Sequence, residues 1–235
     1  MGSMKQRYRL PEVMDDPVLE ASRHIQALRG LERLNRWSRS ERILWGPIQS
    51  LAQQTGARSL RVLDIAAGGG DVPIRLWRRA RRMGLHLRID GCDRSSLAVQ
   101  YAQGCVEKIG TEVKFFELDA LTGQIPSGYD ILMSSLFLHH LDDGQAVQLL
   151  RTMAQAAERM VLISDLARSL PGLWLAYVGT RLLSQSEVVR TDGPRSVRAA
   201  YTMDEVCGLA QQAGLHDSTV VSRWPCRFLL EWRRR

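Results

Sequence analysis

The stretch VLDIAAGGGD, residues 62–71, decides the fold. Its apolar start is typical of a buried strand, and three glycines mark a tight turn before an amphipathic segment at 72–83. Glycine lets the backbone approach a ligand closely, and the first turn of a following helix offers free N–H groups. The stretch therefore predicts a strand, a ligand-binding turn and a helix. A tight turn that binds nothing is the simpler alternative.

Short apolar runs alternate with helical segments beyond this turn. Strands are expected at 60–65, 85–92, 113–118, 129–134 and 160–164, and helices at 72–83, 95–109 and 143–159. A helix at 172–183, a polar loop, a helix at 203–213 and strands at 216–222 and 227–232 then complete the chain. This order predicts an α/β fold with a mostly parallel sheet that ends in an antiparallel strand pair.

Two helical segments precede the first strand. The apolar spacing is helical from about residue 16, and Ser40 is a candidate N-cap for a second helix that ends near Gly56. We expect residues 4–56 to form an N-terminal helical cap, or lid, of the same domain, because 235 residues suit one core. Residues 57–235 would form the main domain, with an insertion at about 166–202 that shapes a substrate pocket.

The composition limits the expected partners, redox compartment and membrane association of the protein. The net charge of +7 favours an acidic partner, but 29 of the 32 basic residues are arginines, which a GC-rich genome would also produce. Four scattered cysteines predict neither a metal site nor disulfides and fit a reducing cytoplasm. The most apolar window, 166–183, is interrupted by Arg168, Pro171 and Arg181, so no membrane span is expected.

Two acidic residues follow the next two predicted strands. Asp93 ends the second strand, where a carboxylate is well placed to accept both ribose hydroxyls of a nucleoside. Asp119 ends the third strand and is a candidate acceptor for an adenine amino group. Each alone is more typical of a helix cap or a turn. Together with the glycine turn they predict one ligand site at the carboxyl edge of the sheet.

The motifs VLDIAAGGGD, GCDRSS and ELDALTG, in this order, resemble those of class I S-adenosylmethionine-dependent methyltransferases. YDILMSSLFLHHL is similar to the fourth motif of their small-molecule branch. The flanking sequences are similar to bacterial methyltransferases of polyketide, phenolic-lipid or quinone pathways. The resemblance implies a Rossmann-like fold, S-adenosylmethionine as the cofactor and S-adenosylhomocysteine as its product.

The resemblance also implies roles for individual residues at the cofactor. Asp64 would organise the turn, Ala66, Gly68 and Gly70 would lie along the methionine part, and Asp93 would bind the ribose. Asp119 and Ala120 would contact the adenine. Backbone carbonyl groups near Ser134 and Ser135 would accept hydrogen bonds from the amino group of the methionine part. Arg94 is a further candidate cofactor contact. Ala66 replaces the usual first glycine, and this departure leaves the detailed conformation of the turn open.

A Rossmann dehydrogenase is the rival interpretation of the glycine turn. Its fingerprint is G-x-G-x-x-G, and no such spacing starts at Ala66. The Asp119 motif also has no counterpart in that fingerprint. Spacing and resemblance therefore agree on methyl transfer.

Methyl transfer to a phenol or enol calls for a base, and a neutral histidine suits this role near pH 7. His139 and His140 follow the fourth strand at its carboxyl end, close to the expected position of the methyl group. We favour His140. The alternative is that the two histidines belong to a turn, with one packing beneath the cofactor. No metal site is predicted.

Substrate contacts are expected from the segments outside the alternating core. Trp174 and Tyr177 belong to an apolar helix that would line a pocket, although ordinary core packing explains them equally well. Tyr201 and Arg198 precede the next helix, and Arg198 would pair with an acidic group of the substrate. The N-terminal helices would cover the cofactor.

The sequence therefore predicts an O-methyltransferase of secondary metabolism that acts on a small hydroxylated aromatic, quinone or polyketide-like acceptor. Alternatives are C- or N-methylation of a small molecule, an RNA methyltransferase, or a cofactor-binding protein without turnover. We expect no nucleic-acid partner, because SSLF at 134–137 lacks the Asn/Asp-Pro-Pro-aromatic segment of adenine amino-methylation. Whether the protein is a monomer or a homodimer is open.

Overall fold

A computed structural model describes residues 4–234. Residue 235, the end of the predicted main domain, lies outside this range. The strands are β1 Ser59–Ile65, β2 His86–Asp93, β3 Lys114–Glu117, β4 Tyr129–Ser135, β5 Ala157–Leu166, β6 Thr219–Arg223 and β7 Arg227–Arg233. The helices are α1 Ala21–Trp37, α2 Ser40–Thr55, α3 Asp71–Arg82, α4 Ser96–Ile109, α5 Asp143–Ala156, α6 Leu170–Leu183, α7 Glu187–Ala199 and α8 Met203–Gln212.

The seven strands form one sheet in the order β3-β2-β1-β4-β5-β7-β6. β1 pairs in parallel with β2 and β4, whereas β7 runs antiparallel to both β5 and β6. The predicted fold class, an α/β fold with a mostly parallel sheet and a final antiparallel pair, is confirmed.

Alternating side chains of β1 supply both faces of the sheet. Leu60 and Val62 pack into the core beneath α2, α3 and α4, while Leu63 and Ile65 pack into the core beneath α5 and α8. Asp64 lies on the first face and is fully buried. A carboxylate in that position interrupts an otherwise apolar layer, at the end of β1 where the glycine turn begins.

The N-terminal region and the insertion differ from the sequence prediction. The first long helix begins at Ala21, and a short 3-10 turn at Val13–Asp15 precedes it. The predicted polar loop after α6 is in fact α7, which contains Gly193 and Pro194 and therefore gave a loop-like pattern. Packing against the cap stabilises α7, because its buried Val188 and Val189 form a small core with Ala27 of α1.

Among the described residues, no helix is long and apolar enough to cross a membrane.

Glycine is required at Gly70 for two reasons. Its φ of +76° lies in the left-handed region, and a Cβ there would collide with the Phe115 ring. Gly68 has a similar φ of +53°, but nothing lies within 4 Å of a Cβ built on it.

We therefore expect Gly70→Ala to lower the free energy of unfolding by about 3 kcal/mol, because strain and overpacking add. Gly68→Ala is the matched control and should lose only about 1 kcal/mol from its backbone conformation. Urea denaturation of both variants measures the difference. Equal losses would show that the turn is not packed as described.

Candidate functional site

A cavity of about 1140 Å³ opens at the carboxyl ends of β1, β2, β3 and β4. The sequence-predicted residues that line it are Ala66, Gly68, Asp93, Arg94, Asp119, Ala120, Ser135, His139 and His140. Asp64, Gly70 and Ser134 do not line it, although each lies within two residues of a lining residue in the sequence. The structure thus brings the predicted cofactor residues and both histidines to one space.

The turn between β1 and α3 is held by Asp93. One carboxylate oxygen of Asp93 accepts the Gly68 N–H at 2.8 Å, and the other accepts the Ser95 N–H at 2.9 Å. Ala66 has a φ of +56°, the left-handed conformation that glycine adopts more easily. The alanine therefore keeps a glycine-like turn, at the cost of local backbone strain.

Asp64 is the most unusual group in the site. Neither of its buried carboxylate oxygens has a hydrogen-bond partner among residues 4–234. Burial, with further contributions from the charges of Asp71 and Asp93, raises the pKa of Asp64 well above its ordinary value. An unpartnered buried carboxylate is costly, so this end of the cavity is suited to a ligand that carries positive charge.

Asp71 begins α3 and lines the same cavity. Asn35 of the N-terminal cap donates to one of its carboxylate oxygens at 3.2 Å. Burial raises the pKa of Asp71 to about 6, although the Asn35 hydrogen bond and Arg75 oppose the shift. The cap thus contributes directly to the acidic group beside the glycine turn.

The remaining cofactor candidates lie at the ends of β3 and β4. Asp119 lines the cavity, and its carboxylate also accepts the Leu121 N–H at 2.9 Å. The buried Ser134 hydroxyl donates to the Ile65 carbonyl at 2.8 Å and ties β4 to β1. Ala120, which follows β3 closely, and Ser135, the last residue of β4, also line the cavity.

His139 is buried between two carboxylates. Its Nδ1 lies 2.7 Å from Asp165 at the end of β5, and its Nε2 lies 3.6 Å from Glu12. Burial alone would lower the pKa of His139, but Asp165 and Glu12 outweigh it and raise the pKa to about 10. His139 is therefore a permanent cation near neutral pH and an unsuitable proton acceptor.

His140 occupies a more open position beside it. Its Nδ1 lies 2.9 Å from Asp15, its Nε2 lies 3.8 Å from Glu12, and its side chain is 23% exposed. Because the Asp15 carboxylate accepts a hydrogen bond from the Nδ1–H group, a neutral His140 carries its free lone pair on Nε2. The structure thus places the two histidines in different environments, and His140, which the sequence analysis favoured, is the more exposed one.

Glu12, His139 and His140 also offer potential metal-ligand atoms within 4.8 Å of one another. A metal would have to displace the proton that Asp165 and Glu12 hold on His139. We therefore interpret the group as a cluster of ion pairs.

The N-terminal segment crosses the site as a strap, residues 7–16. Arg7 donates to the carbonyls of His139 at 2.9 Å and Leu141 at 2.6 Å, and Arg9 donates to the His140 carbonyl. Asp15 also pairs with Arg94 at 3.1 Å. The strap therefore places Glu12 and Asp15 against the histidines.

The four predicted substrate residues do not line the cavity. Trp174 and Tyr177 lie on the outer face of α6, with 67% and 39% of their surface exposed. Tyr201 is buried, and its hydroxyl donates to the Leu141 carbonyl at 3.0 Å. The inner face of α6, which carries Leu175 and Ala176, forms the wall instead.

Sequence reasoning missed several polar residues of the site, among them Glu12, Asp15, Asp71 and Arg227. Asp71 had a local signal, because it directly follows the glycines. Arg227 had none: it lies in the last strand and reaches Ser40 of α2 at 2.6 Å through the buried interior. Burial lowers the pKa of Arg227 to about 10.

Comparison with known proteins agrees with this geometry. Residues 62–159 match the sequence model of a methyltransferase domain family. No curated protein matches the sequence.

Several solved structures have the same fold. The S-adenosylmethionine-dependent methyltransferase SibL superposes with a TM-score of 0.62 at 21% identity, over 86% of this chain and 56% of SibL. Magnesium protoporphyrin IX methyltransferase from Synechocystis PCC 6803, with bound S-adenosylhomocysteine, superposes with a TM-score of 0.58 at 18% identity. The superposition covers 86% of this chain and 87% of that one. An O-methyltransferase family 2 protein from Planctomyces limnophilus, in complex with apigenin, superposes with a TM-score of 0.57 at 17% identity. The superposition covers 84% of this chain and 62% of that one.

Residues 62–159 thus match a methyltransferase domain family, and the fold is that of S-adenosylmethionine-dependent methyltransferases. The predicted family resemblance, enzyme class and cofactor are confirmed. The chain spans about half the length of SibL, so its particular reaction is a separate question.

The raised pKa of Asp71 makes stability depend on pH. The folded protein holds this proton more tightly than the unfolded chain, so the contribution of Asp71 falls as pH rises from about 4 to about 6. Asparagine does not titrate, so the free energy of unfolding of Asp71→Asn should rise by up to about 3 kcal/mol relative to that of the wild type as pH rises over this range.

Urea denaturation at several pH values measures the gain. Asp204→Asn, at an exposed position of α8, is the matched control. A stability difference between wild type and Asp71→Asn that does not change with pH would contradict the assignment.

Proposed function

Since residues 62–159 match a methyltransferase domain family, we propose that the protein transfers a methyl group to a hydroxyl oxygen of a small, largely apolar acceptor. The observation that carries this proposal is the His140–Asp15 pair, which lies in the same cavity as the glycine turn. The pair is the type of group that removes a hydroxyl proton, and O-methylation requires that removal.

The size of the cavity supports a reaction between two bound molecules. Pockets for one small ligand usually measure about 300–1,000 Å³, and this cavity of about 1140 Å³ exceeds that range. Part of its wall is apolar, with Leu31 and Leu34 of α1 and Leu175 of α6. A small aromatic or polyketide-like acceptor fits this lining better than a sugar.

The cofactor would occupy the acidic end. Asp93 would accept the ribose hydroxyls while it holds the turn, and Asp119 with Ala120 would contact the adenine. Arg94, Ser134 and Ser135 would complete the binding site, with Asp64 behind the turn balancing the positive charge. When bound, S-adenosylmethionine supplies an electrophilic methyl group for in-line displacement.

The protein's own contribution is alignment and proton removal. Nε2 of His140 would accept the proton of the acceptor hydroxyl, and the Asp15 carboxylate would stabilise the imidazolium that forms. His139, fixed as a cation by Asp165, would hold Glu12 and the strap in place. Closure by the strap and α6 would keep water from the reacting groups.

The charges in the cavity disfavour an RNA substrate. Carboxylates outnumber arginines among the residues that line the cavity, and they would repel a phosphate backbone. The four cysteines are all free, which fits a reducing compartment such as the cytoplasm. Secondary metabolism is the expected setting of such an acceptor.

Methyl transfer from labelled S-adenosylmethionine to a panel of phenols, hydroxyquinones and transcribed RNA tests the proposal. We expect a methyl ether from at least one phenolic acceptor and no transfer to RNA. Products methylated on carbon or nitrogen, or on RNA alone, would overturn it.

Variants of the two histidines test their separate roles. We expect His140→Gln to lower kcat about a hundredfold without weakening cofactor binding, because it removes only the proton acceptor. His139→Gln should instead lower the free energy of unfolding by about 3 kcal/mol, because it leaves Asp165 buried without its partner. His216→Gln, at an exposed remote position, is the control. Unchanged single-turnover rates in His140→Gln would rule out the base.

A further inference from the structure

Helix α6 turns an apolar stripe towards solvent. Leu170, Trp174 and Tyr177 are spaced by four and three residues, so they lie on one side of the helix, and 66%, 67% and 39% of their surface is exposed. Leu182, near the end of the helix, is 78% exposed. Surface helices usually turn such a stripe towards the core. The opposite side of α6 lines the cavity, so this helix is a thin wall between cavity and solvent.

Two further exposed tryptophans lie near the start of α6. A Cβ built on Gly172 lies 3.2 Å from the Cys226 Cβ, so α6 begins beside the turn that carries Trp224. Trp224 is 60% exposed, and its ring centroid lies 4.9 Å from that of Trp37. We call this surface the docking face: Trp37, Leu170, Trp174, Tyr177, Leu182 and Trp224. An exposed apolar patch of this kind marks an interaction site.

Arginines border the docking face. Arg33 donates to the Leu183 carbonyl at the end of α6, and the Arg181 guanidinium lies 5.2 Å from the Tyr177 ring centroid. Arg223 is exposed next to Trp224. Neither α6 nor residues 222–227 contain an acidic residue. The surface therefore combines indole rings, aliphatic side chains and positive charge.

We propose that the docking face binds the surface of an anionic lipid bilayer. Tryptophan and tyrosine favour the headgroup region, and nearby arginines are attracted to anionic lipids. The 14 residues of α6 measure about 21 Å, too short to span a bilayer, and the exposed stripe on one side of the helix would lie along its surface. A second copy of the chain is a poorer partner, because a two-fold interface would bring the same positively charged surface of both copies together.

This orientation places the cavity next to the bilayer. Trp37 belongs both to the docking face and to the cavity lining, together with Pro225 and Cys226 of the adjoining turn. An apolar acceptor dissolved in the bilayer would reach the cavity without crossing water. That consequence rests on the proposed function, whereas binding to the bilayer does not.

Flotation with vesicles tests the binding without any acceptor. We expect the full chain to float with vesicles of two parts phosphatidylcholine and one part phosphatidylglycerol, and to bind pure phosphatidylcholine or high-salt samples much less. The double variant Trp174→Ser, Leu182→Ser should bind about tenfold more weakly. Met83→Ser, an exposed apolar residue at the far end of α3, is the matched control and should bind like the wild type.

A second pair of variants separates charge from folding. Arg181→Gln and Arg223→Gln remove positive charge at exposed positions, so they should weaken binding to the anionic vesicles while the melting temperature stays unchanged. Equal binding to both kinds of vesicle, or no flotation, would overturn the proposal. So would a dimer in analytical ultracentrifugation that Trp174→Ser dissociates. Loss of methyl transfer with intact flotation would reject the proposed function alone.

Discussion

A cluster of carboxyl groups beside the glycine turn is the constraint on which the site depends. Asp64, Asp71 and Asp93 converge where β1 and β2 end, and the hydrogen-bonding capacity of Asp64 is unused within the described chain. Such a cluster costs stability unless protons or a cation neutralise it. Asp93 accepts hydrogen bonds from backbone N–H groups, and Asp71 accepts one from the Asn35 side-chain amide. Asp64 has neither solution, so the turn is shaped for a positively charged ligand.

A second electrostatic centre organises the other end of the cavity. His139 joins Asp165 at the end of β5 to Glu12 of the strap, so one buried imidazolium ties the sheet to the N-terminal segment. Arg7 strengthens this link through carbonyls at 139 and 141. His140 owes its position to the same strap. In the proposed mechanism, the strap would therefore serve both proton removal and closure of the cavity.

Local patterns predicted the sheet and the acidic end of the site, because Asp93 and Asp119 directly follow strands whose order the sequence reveals. The acceptor end was harder to predict. Apolar residues of α6 occupy both of its faces, and periodicity cannot tell the wall of a cavity from an exposed stripe. Trp174 was therefore expected at the substrate but lies on the outside. Glu12 and Asp15 are more than 120 residues from the histidines along the chain, and no local pattern encodes such contacts.

The central claim is that a cationic cofactor completes the carboxylate cluster. A cation lowers the pKa of neighbouring carboxylic acids, so binding should release protons near pH 6, where Asp71 titrates in the free protein. Isothermal titration calorimetry with S-adenosylmethionine, in two buffers of different ionisation enthalpy, measures this release directly. The account predicts a binding enthalpy that changes with the buffer in the sense of proton release. The same enthalpy in both buffers would contradict it.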